Sequence, residues 1–140
     1  MIKSLYLIGS LRNSNIESIA NTIRTTCNVE VFDDWKSPGP NADDFWKEYE
    51  QGKGNTYKEA LQGYAAKHIF AFDKGHLDRC DAALLIAPAG KSAHLELGYT
   101  IGKGKPGFIL LDDPERWDVM YQFATGIYDS IDEFIKCELE

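Results

Sequence analysis

The glutamate at position 96 has the surroundings of a reactive side chain. Glu96 lies between Leu95 and Leu97 in the first turns of a predicted helix, which follows the clearest buried strand of the chain. Its carboxyl group is therefore expected where apolar packing meets a cleft. A structural explanation is equally good, because an acid near a helix N-terminus interacts favourably with the helix dipole. His94 is expected to be a polar lining residue of this site or a structural residue and not a metal ligand, since no second histidine stands four residues later.

A second group of titratable side chains precedes the same strand. The stretch 72–81 contains several acids and a histidine, and most of these charges are expected to be solvated at the end of a helix. One of the acids is a candidate proton donor held against the cleft, although composition does not show which one. No metal-ligand spacing and no Ser-His-Asp order is visible in the chain, so the sequence indicates neither a metal site nor a triad.

The turn after the first strand has the composition of an anion site. It contains Gly9, Ser10, Leu11, Arg12 and Asn13 and leads into a helix, which brings backbone N–H groups, a hydroxyl and a guanidinium together. The alternative is a tight turn with a solvated arginine. Neither a GxGxxG nor a Walker sequence is present, so phosphate binding is a hypothesis here. After the second strand, Trp35 and neighbouring aromatic residues are suited to stacking on a base, and equally to filling a core.

The elements that would position these side chains alternate between strands and helices. Strands are predicted over 4–8, 29–32, 82–87 and 108–111, and helices over 16–23, 43–49, 56–79, 91–101, 115–122 and 130–137. This order indicates one domain over residues 1–140, an α/β fold with a doubly wound, mostly parallel sheet and helices on both faces. Ligands bind such sheets at the carboxyl ends of the strands, where the strand order reverses.

Composition excludes several classes of partner. The chain has 140 residues, 15 basic and 22 acidic, with a formal charge of −7, which argues against a surface that binds nucleic-acid polymers. A single nucleotide is not excluded, because a few local donors can hold it. No apolar run approaches the roughly 20 residues that span a bilayer. The three cysteines form no CxxC pair and the N-terminus lacks a signal peptide, so a cytoplasmic protein without membrane association is expected.

Three stretches together resemble the nucleoside 2-deoxyribosyltransferase family and its relatives, the deoxynucleoside 5′-monophosphate N-glycosidases. Residues 6–12, Tyr-Leu-Ile-Gly-Ser-Leu-Arg, are similar to the opening strand and phosphate-side turn of the monophosphate hydrolases. Residues 73–81 resemble the segment whose first aspartate stands eight positions before the aspartate that opens the next strand. Residues 95–99, Leu-Glu-Leu-Gly-Tyr, resemble the element that carries the nucleophilic glutamate.

The resemblance implies a specific chemistry that needs no cofactor. Glu96 would attack the anomeric carbon and form a glycosyl ester, while Asp73 protonates the departing base and later activates the acceptor. Tyr6 would hydrogen-bond to Glu96 and orient it. A second base as acceptor makes the enzyme a transferase, and water makes it a hydrolase. The family also implies a homodimer or larger assembly, in which residues 118–122 complete a neighbouring site.

The resemblance also implies which residues bind the substrate. Residues 10–13 would hold a 5′-phosphate, with Ser92 contributing from the opposite turn, which favours a nucleotide substrate and hydrolysis. Two features depart from the family pattern. The turn at Gly90 is bulkier and more basic than in the hydrolases, so that either Lys91 would hold phosphate or His94 would narrow the sugar pocket and change which sugar fits. The segment 35–49, rich in aromatic and acidic residues, has no clear family counterpart.

Three other functions remain open on the sequence. A ribonucleotide or dinucleotide N-glycosidase would need the same glutamate and a similar fold. A nucleotide-binding or sequestering module would keep the pocket without turnover. A flavodoxin-like electron carrier would also fit the strand order, but the turn at residues 10–13 is a poor match to a flavin phosphate loop.

Overall fold

Five parallel strands form the centre of the protein, in the order β2-β1-β3-β4-β5. The computed structural model describes all residues, 1–140. The strands are β1 (Ser4–Ile8), β2 (Glu30–Phe32), β3 (Ala82–Ile86), β4 (Gly107–Leu110) and β5 (Gly126–Tyr128). The predicted α/β class with a doubly wound parallel sheet is confirmed.

Helices cover both faces of the sheet. They are α1 (Ile16–Thr26), α2 (Ala42–Gly52), α3 (Tyr57–Leu61), α4 (Tyr64–Arg79), α5 (Lys91–Gly102) and α6 (Ile131–Phe134), the last continuing as a π-helical turn over Ile135–Leu139. Short 3-10 turns occupy Asp34–Lys36 and Val119–Phe123. None of the helices combines the length and the apolar character needed to cross a bilayer.

Alternation along the central strands divides the core into two layers. Leu5 and Leu7 of β1 pack with α1 and α6 on one face, whereas Tyr6 and Ile8 pack with α4 and α5 on the other. All five residues of β3 are buried, as expected for a strand covered on both sides. The layer with α4 and α5 therefore also carries Tyr6, the first of the predicted site residues.

The strand order indicates that a ligand site is expected beside β1 and β3. The chain leaves β1 toward β2 on one side, and β3 adds on the other side of β1, so the strand order reverses between them. The turns that follow these two strands diverge to opposite faces and open a crevice at the carboxyl edge. Residues 9–13 and 87–90 occupy those turns.

The predicted helix over 56–79 is two helices. Thr56 and Glu59 form a reciprocal capping box that starts α3, and the chain restarts at Gly63, the N-cap of α4. A β-carbon at Gly63 would lie 3.2 Å from the carbonyl oxygen of Ala60, so the break packs tightly. Periodicity alone missed this break, because the apolar spacing continues across it.

Most of the large apolar residues on this helical stretch face outward. Leu77 is the only residue of α4 that is buried, whereas Ile69, Phe70 and Phe72 are each more than half exposed. Leu95 of α5 and several apolar residues of the stretch 117–123 are exposed as well. Exposed apolar area of this kind marks interaction surfaces in soluble proteins.

The fifth strand and the helix before it also differ from the sequence-based expectation. The predicted helix over 115–122 is a 3-10 turn at Val119–Phe123, and β5 was not predicted. β5 has only three residues, starts with glycine and shows no buried apolar run, so it carries little sequence signal. Its partner β4 determines it, through the register pairs Phe108–Gly126 and Leu110–Tyr128.

Candidate active site

A cleft opens at the carboxyl ends of β1 and β3, where the topology predicts a ligand. It encloses about 260 Å³ and is lined by residues of the two turns, Ser10, Arg12, Asn13, Pro88, Ala89 and Gly90. A larger pocket of about 410 Å³ lies beside the N-terminus, at the amino ends of the strands. Its lining includes Met1, Val29 and Leu139 and only one charged side chain, Lys3, so it offers no comparable chemistry.

Tyr6 and Glu96 are joined by a hydrogen bond on the face of the sheet that α4 and α5 cover. The Tyr6 hydroxyl donates to Oε2 of Glu96 at 2.7 Å. Tyr6 is 1% exposed, and its ring packs against Phe32 with centroids 5.0 Å apart. Glu96 is partly buried in the second turn of α5, with Leu97 in the core beside it. Residues 90 positions apart in the chain thus meet, as the resemblance implied.

Burial changes the acidity of both groups. The pKa of Glu96 is raised from 4.5 to about 7, mainly by loss of solvent and also by the charge of Asp73, while the hydrogen bond from Tyr6 opposes the rise. Burial and the nearby Glu96 carboxylate raise the pKa of Tyr6 well above its usual value. The phenol therefore stays protonated and serves as a permanent donor, while Glu96 changes its charge near neutral pH.

Asp73 shares this environment. It lies on α4, partly buried, and desolvation raises the pKa of its carboxyl group, while His76 lowers it. The charge of Asp73 acts on both Tyr6 and Glu96. Of the acids between residues 72 and 81, Asp73 is the one whose pKa is raised overall. Asp78 instead accepts hydrogen bonds from Lys74 and Tyr99, and these bonds lower its pKa. Asp81 accepts hydrogen bonds from the backbone N–H groups of Lys3 and Ser4, which lower its pKa as well.

Gly9 and Trp35 shape the floor of the turn after β1. A β-carbon at Gly9 would lie 2.6 Å from Cδ1 of Ile16, so no larger residue fits there without movement of that side chain. The indole Nε1 of Trp35 donates to the carbonyl oxygen of Leu7 at 2.6 Å. That carbonyl lies one residue beyond the last register pair of β1 with β2, Tyr6 with Phe32. Trp35 thus continues the strand pairing with its side chain, and its N–H is already used.

The turn of residues 10–13 is held by its own side chains. Ser10 accepts a hydrogen bond from the backbone N–H of Arg12, and the Asn13 carbonyl oxygen Oδ1 accepts one from the N–H of Asn15. This leaves the amide Nδ2 of Asn13 buried without a partner. Arg12 is exposed, and its guanidinium forms an ion pair with Asp44 of α2, Nη2 to Oδ2, at 3.5 Å. Leu11 is partly exposed between them.

The opposite wall of the cleft is the start of α5. Gly90 is the N-cap and supplies no side-chain cap, so the first N–H groups of the helix have no side-chain partner there. Ser92 is exposed in the first turn. His94 lies between two protein partners: its Nδ1 is 2.7 Å from the Gly90 carbonyl oxygen, and its Nε2 is 2.9 Å from the Tyr121 hydroxyl.

These contacts assign a structural role to His94. A carbonyl oxygen can only accept, so Nδ1 carries the proton, and in the neutral ring Nε2 accepts from Tyr121. The ring links the wall of the cleft to the 3-10 turn Val119–Phe123 of the same chain. Sequence reasoning named Tyr121 only as part of a segment that completes a neighbouring site, and its contact within the chain had no sequence signal.

Asp44 is the other residue of the site that sequence reasoning missed. It lies in the segment 35–49, which has no clear family counterpart, and no sequence pattern connects it with Arg12, 32 positions earlier. No group of three or more His, Cys, Asp or Glu side chains is placed to hold a metal ion.

Comparison with known proteins identifies the fold. No protein-family model matches the sequence, and no curated protein matches it significantly. A conserved protein from Enterococcus faecalis V583 superposes with a TM-score of 0.63 at 11% identity, over 97% of this chain and 96% of its own. A 2-deoxyribosyltransferase from Bacillus psychrosaccharolyticus superposes with a TM-score of 0.62 at 14% identity, over 94% of this chain and 89% of its own. The chain therefore has a nucleoside 2-deoxyribosyltransferase-like fold.

Proposed function

We propose that this protein cleaves the N-glycosidic bond of a deoxynucleoside 5′-monophosphate, with Glu96 as nucleophile. The observation that carries the proposal is the hydrogen bond from Tyr6 to a partly buried glutamate of α5, the helix whose N-cap Gly90 lines the cleft. A surface glutamate placed for the helix dipole needs neither burial nor a fully buried tyrosine as donor. The likeness to a 2-deoxyribosyltransferase supports a nucleoside substrate, at the level of fold.

The first step forms a glycosyl ester. An oxygen of ionised Glu96 attacks C1′ of the sugar, and the C1′–N bond breaks with its electron pair passing to the base. Asp73 donates a proton to the leaving nitrogen. Tyr6 holds Oε2, which directs the other oxygen of Glu96 toward C1′ and spreads the charge of the carboxylate.

The second step releases the sugar and restores Glu96. The Asp73 carboxylate takes a proton from water, whose oxygen attacks C1′ and displaces the Glu96 carboxylate. Two inversions leave the anomeric configuration retained. If a free base replaces water, the same step makes a new nucleoside, and the protein is a transferase.

The donors that line the cleft, which we call the phosphate end of the site, support a monophosphate as substrate and hydrolysis as the reaction. Arg12 supplies positive charge, the unpartnered Asn13 Nδ2 supplies a donor, and the uncapped start of α5 at Gly90 supplies backbone N–H groups across the cleft. Ser10 and Ser92 add hydroxyl groups on either side. A free nucleoside would leave these donors without an anion.

We further propose that the active form is a homodimer or larger. Leu95 is 75% exposed next to Glu96, and exposed apolar residues of α4 and of the stretch 117–123 extend the same apolar character. Covering them with a second copy would remove water from the neighbourhood of the site. Analytical ultracentrifugation measures the assembly directly, and a monomer at all concentrations would contradict this part.

The test of the activity follows base release by chromatography. The protein is incubated with each of the four deoxynucleoside monophosphates and their nucleosides, with and without a second free base. Release from a monophosphate without acceptor supports the hydrolase, and a new nucleoside formed only with acceptor replaces it by the transferase. Glu96→Gln should abolish either activity, while Glu17→Gln, an exposed glutamate of α1, serves as the matched control. Absence of cleavage in every mixture would overturn the proposal.

A further inference from the structure

Helix α2 brings a carboxylate to the arginine of the cleft. Asp44 stands in the first turn of α2 and pairs with Arg12, whose guanidinium lines the cleft. The contact is a single Nη2–Oδ2 approach of 3.5 Å, and the two side chains are 64% and 58% exposed. An ion pair with these properties is weak and exchanges readily with solvent or another anion.

The geometry leaves Arg12 free to bind a second anion. A guanidinium offers five N–H donors in a planar fork, and Asp44 engages one end of it. A phosphate that takes the rest of the fork would lie close to the Asp44 carboxylate. Because a phosphate monoester carries about two negative charges above pH 7, the two anions would repel each other. Asp44 therefore acts against the ligand that Arg12 attracts.

We propose that Asp44 determines specificity by competing with the substrate phosphate for Arg12. The ion pair partly neutralises the cleft when it is empty, so binding a monophosphate must replace or share the Asp44 contact, whereas a free nucleoside leaves it intact. The carboxylate thus lowers the preference for phosphorylated over unphosphorylated substrates. This inference rests on the proposed function for the identity of the substrate, but its charge competition at Arg12 is testable without turnover.

The variants Asp44→Asn and Asp43→Asn form a matched pair. Both residues are exposed acids in the first turn of α2, and both substitutions remove one charge from the same helix end. Only Asp44 pairs with Arg12. A role in the stability of α2 or in the overall charge of the protein would therefore affect the two variants alike.

Binding of inorganic phosphate and of the four deoxynucleoside monophosphates at about pH 8 is measured by calorimetry, with the nucleosides as reference. Asp44→Asn should tighten binding of phosphate and monophosphates about fivefold and leave nucleoside binding unchanged. The gain in affinity should become smaller as the salt concentration increases. The gain should disappear when Arg12→Ala is present in the same chain. Asp43→Asn should change binding less than twofold.

Two outcomes of the binding measurements overturn the inference: equal effects of the two variants, or a gain from Asp44→Asn that persists without Arg12. Failure of the proposed function would give a different experimental result. If Asp44→Asn tightens phosphate binding through Arg12 while no variant cleaves any nucleotide, the competition at Arg12 stands and the glycosidase proposal falls. If cleavage occurs but its ratio between monophosphates and nucleosides does not change in Asp44→Asn, the specificity role falls and the glycosidase remains.

Discussion

The two ends of the candidate site are built in different ways. The end with the two carboxylates brings Tyr6, from the middle of β1, together with Glu96 and Asp73 on two helices that pack on the same face of the sheet. The phosphate end consists of two turns, with Arg12 exposed and paired to a helix that lies outside the core.

Because of this difference, we expect the two ends of the site to respond differently to substitution. At the buried end, each group is positioned by core packing, and low solvent access amplifies every charge interaction. At the exposed end, screening by water keeps each interaction weak and exchangeable. We therefore expect substitutions at the first end to alter the reaction itself, and substitutions at the second to alter which substrate enters.

The largest effect is expected for Glu96→Gln. Loss of the nucleophile should reduce cleavage by roughly 10⁴-fold or more, because no other carboxylate takes its place beside Tyr6. Circular dichroism should show an unchanged fold, since glutamine can still accept the Tyr6 hydrogen bond. Turnover within tenfold of the wild type would remove Glu96 from the mechanism.

The same substitution should stabilise the protein at alkaline pH. The folded pKa of Glu96 lies near 7, above its ordinary 4.5, so the folded state binds the proton more strongly and loses stability as pH rises between these values. At about pH 8, Glu96→Gln should be more stable than the wild type by roughly 2–3 kcal/mol, and near pH 4.5 by almost nothing. Urea denaturation at both pH values measures the difference. A gain of equal size at both would indicate an effect of packing instead of charge.

A smaller effect is expected for Tyr6→Phe. The hydrogen bond from Tyr6 lowers the pKa of Glu96, so its removal should move the rising limb of the pH–rate profile above pH 7 and reduce the rate by about 30-fold. The ring and its packing on Phe32 remain. An unchanged rate with an unmoved limb would mean that Tyr6 contributes only the packing of its ring.

The smallest effect is expected at the exposed end. Arg12→Ala should reduce kcat/KM for monophosphates about tenfold and leave nucleosides nearly unchanged, because only the phosphorylated substrate has an anion to lose. Lys58→Ala, which removes an exposed cation of α3 that does not line the cleft, is the comparison and should change neither substrate class. Equal losses for both substrate classes would separate Arg12 from phosphate binding and remove the contrast between the two ends.

Local pattern was sufficient for much of the fold. The apolar runs of β1 and β3 and the helical spacing of Ile16, Ala20 and Ile23 predicted elements that the structure contains. Local pattern failed where contacts with neighbouring elements determine the secondary structure. β5 exists because β4 offers it an edge, and the helical stretch after Thr56 divides at Gly63 because two separate caps compete with one continuous helix.

For the candidate site, the sequence by itself was sufficient to predict which residues are candidates and which edge of the sheet carries the cleft. Tyr6 and Glu96 follow from a short resemblance and from alternation on β1, since period-two alternation dictates which face a side chain occupies. Only the tertiary structure decided their acidity, the use of both His94 nitrogens, and the pairing of Arg12 with Asp44. These properties depend on solvent exclusion and on distances between residues far apart in the chain, and neither is encoded in local spacing.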